Sequence, residues 1–134
     1  MKDMGEPKLR VIAMPSNTNP AGNIFGGWIM SQIDLAGAIA ARELSPQRVV
    51  TVAVDKIIFK EPIFVGDLVS CYAKIIKAGN TSITVAVEVV TQRANEYGRV
   101  YCMHVTSAVV TYVSVDKDGN KFPIDADLKR LHGF

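Results

Sequence analysis

One apolar segment that contains a single carboxylate constrains the fold of this chain more than any other feature. The segment spans residues 22–41 and reads GNIFGGWIMSQIDLAGAIAA. At the helical period it places apolar side chains on every face, and Asp34 is its one charged residue. A helix that is hydrophobic all round is buried. The sequence therefore predicts a long buried helix over about residues 26–44, which Pro46 ends because the residue before a proline disfavours helical geometry.

Asp34 is the residue of this helix that calls for a chemical explanation. An ionised carboxylate is costly to bury, so it must be paired, protonated or used in a reaction. No Lys or Arg stands three or four residues from Asp34, where a helical ion pair would need one. Two interpretations follow. Either Asp34 does chemistry in a small dry pocket, or it is a structural aspartate hydrogen-bonded to a loop backbone.

The rest of the chain predicts β structure. A short strand precedes the helix, four long strands follow it, and the tail holds a short helix. We place these elements at residues 8–14, 48–59, 67–77, 81–93, 99–115 and 125–131. One helix cannot connect several parallel strands, so the fold class is α+β with an antiparallel sheet and the helix packed on its face. A helix apolar all round needs more cover than one sheet supplies, which predicts a homodimer.

Bulk properties exclude several classes of function. The 134 residues form one domain, which we place at residues 1–134. A net charge of +2 gives no reason to expect nucleic acid binding. The apolar segment is too short and too polar for membrane insertion, and the first ten residues have no apolar signal-peptide core. Cys71 and Cys102 spell out no metal or redox motif and predict reduced thiols in a cytoplasmic protein.

A family pattern coincides with these elements. The sequence NPAGNIFGGWIMSQIDLAGAIAA resembles the acyl-CoA thioesterases of the YciA and cytosolic acyl-CoA hydrolase group, and a second match is TVAVDKIIFKEPIFVGD. The matching positions are Gly22, Asn23, Gly26, Gly27, Asp34, Phe59, Pro62, Gly66 and Asp67. The resemblance covers about residues 8–115. It implies a hotdog fold, in which a curved five-stranded antiparallel sheet wraps one long buried helix, and it implies hydrolysis of acyl-CoA to a fatty acid and coenzyme A.

The resemblance also implies roles at the start of the helix. Asp34 takes the position of the acid, which acts as general base on water or attacks the thioester carbonyl itself. Gly26 and Gly27 lie where free backbone N–H groups point outward, and the Gly27 N–H is the expected principal donor to the oxyanion. The two glycines equally fit close packing at the helix entry. Asn23 takes a position that orients the water or carbonyl, often from the opposite subunit, although a turn residue or N-cap is the ordinary interpretation.

The nucleotide end of coenzyme A needs partners for its phosphates. The resemblance assigns Gly79, Asn80, Thr81 and Ser82 to this region, and a plain hairpin turn fits them equally well. Lys129 and Arg130 could reach a phosphate too, with a solvated tail as the default. The resemblance implies no metal or redox cofactor, since coenzyme A is part of the substrate. It also implies an assembly of homodimers into a trimer of dimers.

Three alternatives compete with this interpretation. A hotdog hydratase or dehydratase uses a histidine with its carboxylate, but His104 and His132 both lie outside the loop and helix around Asp34. A non-catalytic acyl-CoA sensor usually adds a DNA-binding segment, for which the sequence before about Lys8 leaves no room. A structural dimer with an incidental pocket would leave Asp34 unexplained.

Overall fold

The structure, a computed structural model, describes residues 4–134. Its elements are β1 (Leu9–Ile12), α1 (Gly26–Ala41), β2 (Val49–Phe59), β3 (Leu68–Ala78), β4 (Ser82–Ala94), β5 (Val100–Ser114) and α2 (Ala126–Leu131). The five strands form one antiparallel sheet in the order β1-β3-β4-β5-β2. The predicted α+β fold with an antiparallel sheet is confirmed.

Alternation along the strands gives the sheet an inner face. In β4, every second residue from Ile83 to Val89 is buried. Successive side chains of a strand point to opposite faces, so these residues line one face of the sheet. Helix α1 packs on that face and contacts β2, β3, β4 and β5. The core therefore lies between one helix and one sheet.

The helix buries only one of its faces in the single chain. The buried residues are Ile29, Ile33, Ala36, Gly37, Ala40 and Ala41. Outside this buried face, Met30, Leu35 and Ile39 are 45%, 55% and 43% exposed. One sheet covers only the helix face that it contacts, so α1 keeps exposed apolar side chains within the single chain, as the sequence predicts for a helix that needs more cover than one sheet supplies.

The helix also ends three residues earlier than predicted, at Ala41. The N–H groups of Glu43 and Leu44 bond to the carbonyls of Ala40 and Ala41. These are bonds to the third residue back, which tighten the last turn into 3₁₀ geometry. The tightening buries Leu44 just before Pro46.

Two contacts fix the direction of α1 along the sheet. A Cβ at Gly26 would lie 3.6 Å from the ring of Phe59, the last residue of β2, so the start of α1 is beside the end of this strand. At the other end, the Ser45 hydroxyl lies 2.8 Å from that of Ser114, which pairs with Val49 at the start of β2. The helix therefore begins beside the end of β2 and ends beside its start.

Candidate active site

Two strands hold the carboxylate of Asp34. The Thr51 hydroxyl donates to Oδ1 at 2.7 Å, and the Tyr112 hydroxyl lies 3.1 Å from the same oxygen. Thr51 of β2 and Tyr112 of β5 are register partners, so the two donors come from adjacent points of the sheet. Oδ2 accepts no hydrogen bond from any residue in the range 4–134. Asp34 is half-buried, and its donors are strand side chains rather than a loop backbone.

Tyr112 reaches Asp34 past Gly37, a helix position without a side chain. Its side chain is fully buried, and its hydroxyl donates to the backbone carbonyl of Asp34 at 2.7 Å. A Cβ at Gly37 would lie 2.3 Å from the hydroxyl oxygen, so a glycine is needed there. Burial, with the nearby negative charge of Asp34, raises the pKa of Tyr112. The phenol therefore stays protonated and acts as a donor.

Sequence reasoning missed Thr51, Tyr112 and Gly37. One signal was available: Gly37 lies in the middle of a helix, where glycine costs about 1 kcal/mol relative to alanine and usually has a packing reason. The pairing of Thr51 with Tyr112 depends on the strand register, which no local pattern specifies here.

The start of α1 presents unused backbone donors. The N-cap residue is Phe25, not Asn23, and no side chain caps the helix. The N–H groups of Trp28 and Ile29 bond to the Phe25 carbonyl, whereas those of Gly26 and Gly27 have no acceptor within the described chain. A Cβ at Gly27 would meet no described atom within 4 Å. Close packing inside the chain thus does not explain this glycine.

Asn23 and Gly26 line one cleft beside the end of β2. The cleft has a volume of about 360 Å³ and also includes Phe59, Lys60 and Pro62. The loop before α1 is held by the Asn19 side chain, which accepts hydrogen bonds from the N–H groups of Ala21 and Asn23 at 3.0 and 3.1 Å. The exposed Asn23 side chain is left at the cleft edge.

An ion pair supports the segment after β2, which lines this cleft. Arg93 donates from Nε and Nη2 to Oδ1 and Oδ2 of Asp67, at 2.9 and 2.6 Å, and the Phe64 N–H donates to the same carboxylate at 3.0 Å. Burial works to raise the pKa of Asp67, but the hydrogen bonds from Arg93 and Phe64 outweigh it and hold the pKa below its usual value of 3.8. Arg93 also donates to the Pro62 carbonyl at 3.3 Å, so the pair holds the segment after β2 in place.

The turn from Gly79 to Ser82 is tied to the C-terminal tail. Lys129 Nζ donates to the Gly79 carbonyl at 3.1 Å, and the Ile124 N–H donates to the Asn80 carbonyl at 2.9 Å. The Ser114 N–H donates to the Thr81 carbonyl at 2.8 Å. Lys129 is therefore not a solvated tail residue but lies against the turn.

The single chain brings together only part of the predicted site. Asn23 and Gly26 share a cleft, and Gly27 is adjacent. Asp34 lies seven residues after Gly27, which places it about 10 Å further along the helix. Ser82 pairs with Val113, whereas Phe59 of the cleft pairs with Thr106, so the turn lies about 23 Å along β5 from the cleft.

The histidines lie apart from Asp34. Nε2 of His104 is 2.5 Å from Glu88 Oε2 and 3.0 Å from the Ser107 hydroxyl. His132 lies in the tail, where its Nδ1 is 2.9 Å from the Leu128 carbonyl. A hydratase would need a histidine beside the carboxylate of Asp34, and neither His104 nor His132 contacts it. Over residues 4–134 no group of three or more His, Cys, Asp or Glu side chains is placed to hold a metal ion.

Among the helices described, none is long and apolar enough to cross a membrane.

Comparisons with known proteins agree on one family. The sequence profile of the thioesterase superfamily matches residues 21–97. The acyl-CoA thioester hydrolase YciA of Salmonella typhimurium is 49% identical over 122 residues, which cover 90% of this chain and 90% of that protein.

Solved structures are similar over almost the whole chain. A hexameric hotdog fold thioesterase of Campylobacter jejuni is 68% identical, with a TM-score of 0.97 over 98% of this chain and 99% of that one. An aspartate-to-alanine mutant of a hexameric broad specificity acyl-coenzyme A thioesterase is 50% identical, with a TM-score of 0.83 over 92% of this chain and 88% of that one.

The assembly of these relatives corrects one prediction. Both solved structures are described as hexameric, so a homodimer is corrected as the final assembly, and the implied trimer of dimers agrees with these relatives in the number of subunits only. The homodimer was predicted from the helix alone, and the trimer of dimers came from the family resemblance. Exposed apolar side chains also lie on the sheet, at Val52, Ile58 and Ile76, so the helix face is not the only surface that a partner could cover.

Proposed function

The chain belongs to the thioesterase superfamily, and from this premise we propose that it hydrolyses acyl-CoA thioesters to a carboxylic acid and coenzyme A. The family resemblance and the hotdog fold predicted from the sequence are confirmed. The single observation that carries the proposal is the carboxylate of Asp34, which two donors hold at Oδ1 while Oδ2 is left without one in the described chain.

Two mechanisms use this carboxylate. As a general base, Asp34 takes a proton from water while the water oxygen attacks the thioester carbon, and the tetrahedral intermediate then expels the thiolate of coenzyme A, which is protonated. As a nucleophile, Asp34 attacks the carbon itself, expels the thiolate and forms a mixed anhydride, which water hydrolyses. An aspartate-to-alanine mutant was made in the 50% identical relative, which supports an aspartate as the acid.

The start of α1 supplies the donor to the oxyanion. The Gly27 N–H has no acceptor within the described chain, and it lies at the positive end of the helix dipole. A thioester carbonyl can approach it closely because no side chain intervenes. We assign the principal hydrogen bond to Gly27 and a neighbouring one to Gly26. One such donor contributes about 3 kcal/mol of transition-state stabilisation in comparable enzymes.

A neighbouring subunit completes the site. Asp34 and Gly27 of one chain are about 10 Å apart along the helix and so cannot act on one carbonyl together. We therefore propose that the chain forms a hexamer, as its relatives do, and that Asp34 of one subunit meets Gly27 and Asn23 of another. Asn23 orients the water or the carbonyl there. The exposed Met30, Leu35 and Ile39 of α1 support such contacts, since an apolar surface of this kind favours burial.

The nucleotide end of the substrate is assigned to the turn from Gly79 to Ser82. Lys129 places its ammonium 3.1 Å from the Gly79 carbonyl and so adds positive charge to this turn. A phosphate would bind favourably next to such a charge. In a hexamer the turn can serve an active site to which a neighbouring subunit contributes the helix start.

The proposed reaction consumes water and uses no metal or redox cofactor. We also propose a cytoplasmic location, which the free Cys71 and Cys102 support because disulfides are rare in that compartment.

Release of free thiol from a panel of acyl-CoAs of increasing chain length tests the proposal. Hydrolysis of one or more of them supports it, with acetyl-pantetheine as a control for substrates that lack the nucleotide. Binding of acyl-CoA without release of thiol would contradict it and assign the protein to the non-catalytic sensors.

A further inference from the structure

Tyr112 and Gly37 form a contact that packing alone does not require. Tyr112 is fully buried, and a buried hydroxyl needs a hydrogen-bond partner that phenylalanine would not need. Gly37 lies within a helix, where alanine has the higher intrinsic helix propensity. Each residue by itself is thus less favourable for stability than its simpler replacement. The two residues are in contact, because the Tyr112 hydroxyl occupies the space that a Cβ at Gly37 would take.

This position brings the Tyr112 hydroxyl next to Asp34. The Tyr112 hydroxyl has one proton, and it lies 2.7 Å from the Asp34 carbonyl oxygen and 3.1 Å from Oδ1. The shorter contact fixes the main chain at Asp34, and the longer one restrains its side chain. Thr51 donates its own proton to Oδ1 at 2.7 Å. Both side-chain contacts therefore fall on the same carboxylate oxygen.

We propose that Tyr112 is a positioning residue. Its hydroxyl occupies the space left by the absent Cβ of Gly37 and holds Asp34 so that Oδ2 is the oxygen that reacts. The inference rests on the proposed hydrolysis and adds to it the atom that acts and the residues that orient it. A carboxylate held at one oxygen cannot rotate freely about its Cβ–Cγ bond, so the free oxygen keeps one direction. Such positioning lowers the entropy that must be lost on reaching the transition state.

The surroundings keep Tyr112 in the donor state. Burial and the charge of Asp34 both disfavour the phenolate. Tyr112 therefore takes no part in proton transfer and is not a catalytic residue. Its removal should act through Asp34 alone, on turnover rather than on substrate binding.

The test compares Tyr112→Phe with Tyr72→Phe, measuring kcat and KM for one acyl-CoA. Tyr72 is a matched control because its hydroxyl makes no hydrogen bond within residues 4–134 and its ring is on β3, away from Asp34. We expect Tyr112→Phe to lower kcat by about 10-fold, the effect of one hydrogen bond to a charged group, with KM changed less than about twofold. Tyr72→Phe should match the wild type.

Unchanged kcat in a folded Tyr112→Phe would overturn the inference while leaving the hydrolysis in place. Failure of the wild type to release thiol would instead overturn the proposed function, and this inference with it. Should Tyr112→Phe not fold, Gly37→Ala tests the same contact by displacing the hydroxyl. Lower kcat with little change in KM in that variant supports the inference, and wild-type values overturn it.

Discussion

The Thr51 hydroxyl donates a hydrogen bond of 2.7 Å to Oδ1 of Asp34. This bond joins the helix that carries the carboxylate to β2, which lies at one edge of the sheet. Thr51 is exposed in the single chain, so the bond lies on the side of Asp34 that faces away from the core. It therefore sets the direction of the carboxylate where a substrate or a second subunit can approach.

Replacement of Thr51 by valine should lower kcat. Valine keeps the shape of the side chain but removes the donor, and a hydrogen bond to a charged group is worth about 1.5–3 kcal/mol, or roughly 10- to 100-fold. Thr51→Ser keeps the hydroxyl and should retain most of the activity. Steady-state kinetics of thiol release measures both variants. Equal rates for valine and serine would contradict a role for this bond.

Replacement of Gly27 by alanine should lower activity without loss of stability. The new Cβ meets no described atom within 4 Å of the same chain, so the fold accepts it, and alanine favours helix more than glycine does. The methyl group instead stands in the path of the thioester carbonyl to the Gly27 N–H. We expect kcat/KM to fall at least about 10-fold, a fraction of the effect of losing an oxyanion donor. Thermal unfolding should show an unchanged or higher Tm. Full activity would show that no substrate atom approaches this position.

Replacement of Gly37 by alanine should destabilise the fold. The Cβ would lie 2.3 Å from the Tyr112 hydroxyl oxygen, and such overpacking costs about 1–3 kcal/mol. Removal of the hydroxyl relieves the closest contact, so Gly37→Ala should cost less in a Tyr112→Phe background. Urea unfolding of the two single variants and the double variant measures this coupling. Additive effects would mean that the two side chains do not compete for the same space.

The Asp67–Arg93 ion pair should make stability depend on pH in the acidic range. The pKa of Asp67 in the folded chain lies below its usual value of 3.8. The pair therefore stabilises the fold fully above about pH 4, and this contribution is lost as the pH falls through the lower, folded pKa. Asp67→Asn should be less stable than the wild type at pH 6, and the difference should shrink between about pH 4 and pH 2. Denaturant unfolding across this range checks it, and a constant difference would contradict it.

The sequence predicted the fold well because its signals are local. The apolar segment around Asp34 follows from its helical period and the hairpin at Gly79–Ser82 from its turn residues, and both appear in the structure. The end of α1 at Ala41 was missed, because the 3₁₀ turn that buries Leu44 depends on packing rather than on the residues themselves. Which residues of the helix stay exposed was also not predicted, since this depends on how much of the helix the sheet covers.

The site was predictable in its chemistry but not in its arrangement. Asp34 and the paired glycines stand out in the sequence because a lone acid and a free helix start are local features. The partners of Asp34 do not stand out, since Thr51 and Tyr112 approach it only through the register of β2 against β5. The separation of Gly27 from Asp34 along one helix was implicit in their spacing. In the proposed hexamer a second subunit brings its Gly27 close to Asp34, and that arrangement depends on subunit packing rather than on local sequence features.

Replacement of Asp34 by asparagine is the most direct test of the central claim. Asparagine keeps the size of the side chain and can still accept from Thr51, but it can neither take a proton from water nor attack a thioester. Thiol release from acyl-CoA should be measured for Asp34→Asn and for Asp118→Asn, a matched change at an exposed turn. The account predicts that Asp34→Asn loses at least about 100-fold in kcat, as expected for loss of a general base. Its fold and hexamer should stay intact, and Asp118→Asn should match the wild type. Wild-type turnover by Asp34→Asn would contradict the account.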